Sequence, residues 1–135
     1  MSELVDEVVR RGAHRSLTVS RLRHWVREGL IGPVGEHHPG SGRHRYFKDT
    51  ALEVALALNA LADFNLPVGV LRTAARELHR EALPRWQSGA AQLFLVISRA
   101  DSGKLGARVH YERDLPISDR FLVLDLMQIW GPPNG

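Results

Sequence analysis

Between residues 18 and 48 the chain passes from an amphipathic basic helix pattern into a stretch that no helix can occupy, then leaves through His44-Arg45-Tyr46-Phe47. Val19, Leu22, Val26 and Leu30 recur at three- and four-residue spacing with Trp25 beside them, while Ser20, Arg21, Arg23, His24 and Arg27 fall on the other face. Thr18 is a good N-cap residue. Gly29 suits a left-handed stop and Pro33 bars resumption, so the spacing predicts a helix over 18–28. Residues 32–43 hold four glycines and two prolines in twelve positions, bounded by Leu30-Ile31 and Tyr46-Phe47. That composition predicts a hairpin, or wing, over 32–47.

Charge concentrates on the same stretch. From Arg10 to Lys48 there are nine Arg or Lys against two acids, a net +7, with five histidines added. From Asp49 onward nine basic residues face ten acidic ones, a net −1. A localised positive face fits a polyanion, because duplex affinity comes largely from neutralised phosphates and released counterions. A helix followed by a basic wing is the order of a winged helix-turn-helix lying on DNA.

The rest of the chain supplies a frame. Leu4, Val5, Val8 and Val9 share a helical face that Gly12 ends, and a polar link over 13–17 follows. Asp49 or Thr50 can cap the Ala- and Leu-rich run 51–64, Thr50 standing at capping-box spacing from Glu53, and the run predicts a largely buried helix. Asn65-Leu66-Pro67 breaks it. Pro67 suits the first turn of another helix whose stripe is Val70, Leu71, Ala74, Ala75 and Leu78, reaching about residue 81. After Pro84, residues 92–98 and 107–112 read as strands of a hairpin around the turn-rich 99–106. Residues 121–127 form a third apolar run, a strand or the start of a helix ending at Trp130, and the strand reading is preferred. The expected fold is therefore α+β, mainly helical, with a winged helix-turn-helix domain over 1–83 and a small antiparallel β-rich extension over 84–135.

At 135 residues and 44% hydrophobic, the chain has room for one domain or two very small ones. No apolar run approaches the roughly 18 residues of a membrane span, and the start, MSELVDEVVRR, lacks the pattern of a signal peptide, so a cytoplasmic location is expected. The absence of cysteine excludes disulfides, thiolate metal sites and a thiol nucleophile. Asp101, Asp114, Asp119, Asp125, His110 and Ser118 form no nucleophile–base motif, and Gly40-Ser41-Gly42 precedes no helix. An enzyme is not expected, and neither is a cofactor. His37, His38 and His44 lie on a loop that would hold a metal loosely, with only Glu36 nearby, so no metal site is expected either.

The run from Thr18 to Pro33 resembles the recognition-helix signature of the MerR family of bacterial regulators, with Leu22-Arg23, Trp25, Glu28-Gly29-Leu30 and Pro33 in register. His44-Arg45-Tyr46-Phe47, followed by Lys48-Asp49, is similar to the end of that family's wing. Phe64-Asn65-Leu66 stands where the family turns between its third and fourth helices. The resemblance covers roughly residues 4–79. It implies double-stranded DNA as partner, and it leaves room for a contact with RNA polymerase. The chain departs from the family in its longer link between the first two helices. It also has no stretch for a long dimerisation helix, and no cysteine for a thiol-based switch.

The resemblance would put the helix in the major groove. There Ser20, Arg21, His24 and Arg27, with Thr18 at the helix start, are the candidates to meet base edges. Arg23, Arg43, Arg45 and Lys48 match family positions suited to phosphate, although Arg23 has the alternative of a buried pair with Glu28 or with an acid of the first helix. Trp25 reads as core, and Tyr46 and Phe47 divide between packing and the backbone. His37, His38 and His44 would touch phosphate or the minor groove, strengthening binding at mildly acidic pH. Specific sites are commonly read by two-fold dimers, so the C-terminal strands are candidates to join two copies as well as to complete the core. Two alternatives remain. An excisionase-like architectural factor predicts tandem sites and strong bending, and a protein-interaction module without DNA binding predicts no salt-dependent DNA affinity.

Overall fold

The computed structural model describes residues 2–12, 14–34, 46–47, 50–111 and 120–133. Helix α1 (Ser2–Arg10) buries Leu4, Val5 and Val8 and ends at Gly12, whose φ of 104° is open to glycine at little cost. Helix α2 (Arg15–Arg27) begins three residues earlier than Thr18. Its end is a Schellman turn: the Leu30 N–H donates to the Trp25 carbonyl (2.8 Å) and the Gly29 N–H to that of Val26 (3.1 Å), with Gly29 at φ 77°. Two short strands, β1 (Pro33–Val34) and β2 (Tyr46–Phe47), pair antiparallel with Val34 opposite Tyr46. They form the base of the hairpin read over 32–47. Its remainder, 35–45, lies outside the described residues.

Helix α3 (Ala51–Ala62) is buried along most of its length, including Val54, Ala55, Ala57, Leu58 and Leu61. The capping bond expected from Thr50 is not formed; its ψ of 0° departs from the extended geometry that aims a cap side chain at the first turn. Helix α4 (Val68–Glu77) buries Val70, Leu71, Ala74 and Ala75. It does not stop near residue 81. A π-helical turn, Leu78–Ala82, carries it into α5 (Leu83–Gln87). Pro84 lacks an N–H, and its ring crowds the carbonyl four residues back in a regular α-helix. The π-turn, in which the Leu83 N–H reaches the Leu78 carbonyl, widens the backbone just ahead of that proline.

The C-terminal sheet has β3 (Phe94–Arg99) at its centre, flanked by antiparallel β4 (Leu105–His110) and β5 (Arg120–Asp125). The apolar run 121–127 divides at Asp125. Its carboxylate accepts from the N–H groups of Met127 (3.1 Å) and Gln128 (3.3 Å), turning the chain from β5 into the short helix α6 (Leu126–Trp130). Both alternatives held for that segment are therefore realised in succession.

One apolar core runs through all of this, joining Val8, Leu22, Trp25, Leu58 and Leu61 to Leu93, Leu95, Ile97, Leu126 and Trp130. Each fully buried leucine contributes about 1.5–3 kcal/mol. Two indoles close the join. The Trp130 Nε1–H donates to the Glu53 carbonyl of α3 (2.7 Å), and the Trp86 Nε1–H to the Gly131 carbonyl (2.7 Å). Their rings meet edge-on, with centroids 5.5 Å apart. The boundary read between residues 83 and 84 falls inside the continuous α4–α5 stretch, and core residues on either side belong to one cluster.

Candidate nucleic-acid interface

Helix α2 has 13 residues and so spans roughly 20 Å at 1.5 Å per residue. Its inner seam is Thr18, Leu22 and Trp25, at most 2% exposed. Residues at 16, 20, 23, 24 and 27 lie on the opposite side, following the helical repeat. Ser16, Ser20, Arg23 and Arg27 are exposed there and His24 is half-buried. Among the described residues, neither Arg23 nor Arg27 forms an ion pair. The outward stripe therefore carries two guanidiniums without an acidic partner among the described residues, an imidazole and two hydroxyls, which are hydrogen-bonding groups suited to base edges and phosphate oxygens.

Charged ties join this helix to three neighbours. Arg15 reaches Asp6 of α1 at 2.9 Å. Arg21 bonds Asn59 (2.7 Å) and Asp63 (3.0 Å), both on the α3 side. Glu28, just past the end of α2, meets Arg72 of α4 at 2.9 Å. Each tie has at least one largely exposed partner and is worth at most about 1 kcal/mol. Their combined effect is geometric, since they oppose sliding and rotation that an apolar seam tolerates.

The expected site residues divide into three groups. Ser20, Arg23, His24 and Arg27 come together on one exposed face. Thr18 and Arg21 do not join that face. Thr18 is 1% exposed, and its hydroxyl donates to the His14 carbonyl (2.7 Å), one turn inside a helix that begins before it, so it neither caps the helix nor faces outward. The Arg21 guanidinium is engaged with α3, and its side chain is only 17% exposed. The alternative pair between Arg23 and Glu28 is also absent, because Glu28 is held by Arg72. In the third group, Tyr46 lies in β2, while His37, His38, Arg43, His44, Arg45 and Lys48 lie outside the described residues.

Ser16 was missed. Taking Thr18 as the cap truncated the stripe, although extending the repeat from Ser20 back by four positions would have reached it.

A helical pair packed against a second pair, with a hairpin base immediately behind the exposed helix, is the architecture of a winged helix-turn-helix. The family model described as MerR HTH family regulatory protein matches residues 14–78, and the chain carries a MerR-type helix-turn-helix domain. The match runs from the start of α2 to the first residue of the π-turn, leaving α1 and the C-terminal sheet outside it. No curated protein matches the chain. Domains of this type belong to DNA-binding regulators. Among the described residues no helix is long and apolar enough to cross a membrane.

Proposed function

We propose that this protein is a sequence-specific DNA-binding transcription regulator. Helix α2 enters the major groove with Ser16, Ser20, Arg23, His24 and Arg27, and the hairpin that follows it rests on the flanking backbone and minor groove. The observation that carries this reading is the outward stripe of α2, whose two arginines lack acidic partners among the described residues while every buried position of the helix faces the core. Arginine pairs bidentately with guanine O6 and N7, and serine and histidine meet other edges. Phosphate contacts from the basic hairpin would set register without reading sequence.

A single module leaves a small footprint, so the active form is a homodimer on two half-sites about one helical turn, or a multiple of it, apart. The C-terminal sheet is the proposed joining element. Its outer strands β4 and β5 each pair with β3 on one side only among the described residues.

Selection from a random duplex pool by the purified protein at about 0.15 M salt tests the reading. A two-fold symmetric motif is expected. Direct repeats would replace the dimer with tandem architectural binding, and no enrichment would remove sequence-specific recognition.

A further inference from the structure

We infer that Arg21 is a positioning residue: it sets the rotation of α2 through Asn59 and Asp63 and does not itself touch DNA. This rests on the DNA-binding reading above. Arg21 lies about 100° around the helix from Ser20, between the buried seam and the outward stripe. One guanidinium nitrogen serves both acceptors, Asn59 Oδ1 at 2.7 Å and Asp63 Oδ1 at 3.0 Å. The two acceptors are four residues apart and so stack on one face of α3.

Rotation is what such a lateral tie controls. Leu22 and Trp25 hold α2 down, but apolar contacts are non-directional and tolerate a twist about the helix axis. A twist of about 20° moves a point roughly 6 Å from the axis by about 2 Å, enough to break hydrogen-bond geometry at a base edge. Asp63 is placed oddly for any other purpose. It occupies the C-terminal cap position of α3, where the negative end of the helix dipole disfavours a carboxylate. It also adds an acid beside a helix meant for a polyanion. Arg21 offsets both effects.

The test uses opposite signs. If Asp63 does nothing for α2, removing this acid strengthens DNA binding by simple electrostatics. If it positions Arg21, Asp63→Ala weakens binding despite the gain in positive charge. Affinity for the selected duplex is measured at several salt concentrations for the parent protein and for Asp63→Ala, Asn59→Ala, Arg21→Ala and the double variant Arg21→Ala/Asp63→Ala, with thermal melts alongside.

Positioning predicts that Asp63→Ala and Asn59→Ala each bind about three-fold or more weakly, a loss typical of one partly exposed polar tie. The double variant should bind no worse than Arg21→Ala. The salt slope should match the parent throughout, because no phosphate contact is lost, and any loss of base preference should spread over all the positions that α2 reads. The Asp63 side chain is 62% exposed, so its variant should melt as the parent does, which separates positioning from general destabilisation. Equal or tighter binding by Asp63→Ala overturns the inference, and so does a salt slope reduced by about one in Arg21→Ala. Loosened preference at a single base pair in Arg21→Ala would likewise assign that residue to direct readout. A parent protein that enriches no duplex overturns the DNA-binding reading itself, which distinguishes the two failures.

Discussion

Replacing Trp130 by phenylalanine removes one hydrogen bond from the join between α6 and α3 while keeping most of an aromatic ring in place. Trp130 is 4% exposed, donates to the Glu53 carbonyl at 2.7 Å and meets Trp86 edge-on. The lost bond costs about 1 kcal/mol. The altered ring pair adds about 0.5–1 kcal/mol. Trp130→Ala removes the whole indole and should cost about 3–5 kcal/mol.

Because one core spans both parts of the chain, these losses should appear in a single transition. Urea unfolding followed by far-ultraviolet circular dichroism reports mainly α1–α5, and fluorescence reports the remaining Trp25 and Trp86. With a slope of about 1.5–2 kcal/mol per molar urea, Trp130→Phe should lower the midpoint by about 1 M in both signals, with unchanged slope. Non-coincident transitions, with the helical signal unmoved while a second step shifts, would refute the shared core and make the C-terminal sheet an independent unit.

Further outcomes follow from local geometry. Gly29→Ala meets no atom within 4 Å of the added Cβ, so its cost of about 1–2 kcal/mol comes from φ 77° alone, and an unshifted thermal melt would contradict this. Asp125→Ala should cost about 1 kcal/mol by uncapping α6, read by the same melt. Thr18→Val removes the hydroxyl bond to His14 and should cost about 0.5–1.5 kcal/mol of stability, with DNA affinity unchanged in a binding titration. Arg27→Ala should lose about 1–3 kcal/mol of affinity for the selected duplex and relax preference at one position, with its melt unchanged.

Much of the frame was legible because periodicity is a strong signal. Leu4, Val5 and Val8, the Leu22–Trp25 seam and the α4 stripe were all readable from spacing. The end of α2 was legible too, since few residues other than glycine adopt the conformation at Gly29. The misreadings have specific causes. Threonine before an apolar repeat signals a cap, yet the same hydroxyl can bond back one turn within a helix, as Thr18 does to His14. Proline signals a stop, yet the π-turn before Pro84 lets the helix pass. Arg21 could not be distinguished from its neighbours by sequence, because its partners Asn59 and Asp63 lie some forty residues away and only the packing of α2 on α3 brings them within reach.

Mapping the duplex onto the protein tests the central claim most directly. Backbone amide signals of the isotope-labelled protein are followed while the selected duplex is added at about 0.15 M salt. The account predicts that the strongest perturbations fall along α2, at Ser16, Ser20, Arg23, His24 and Arg27, and in the hairpin that follows. Perturbations confined to the C-terminal sheet, or none at saturating duplex, would contradict it.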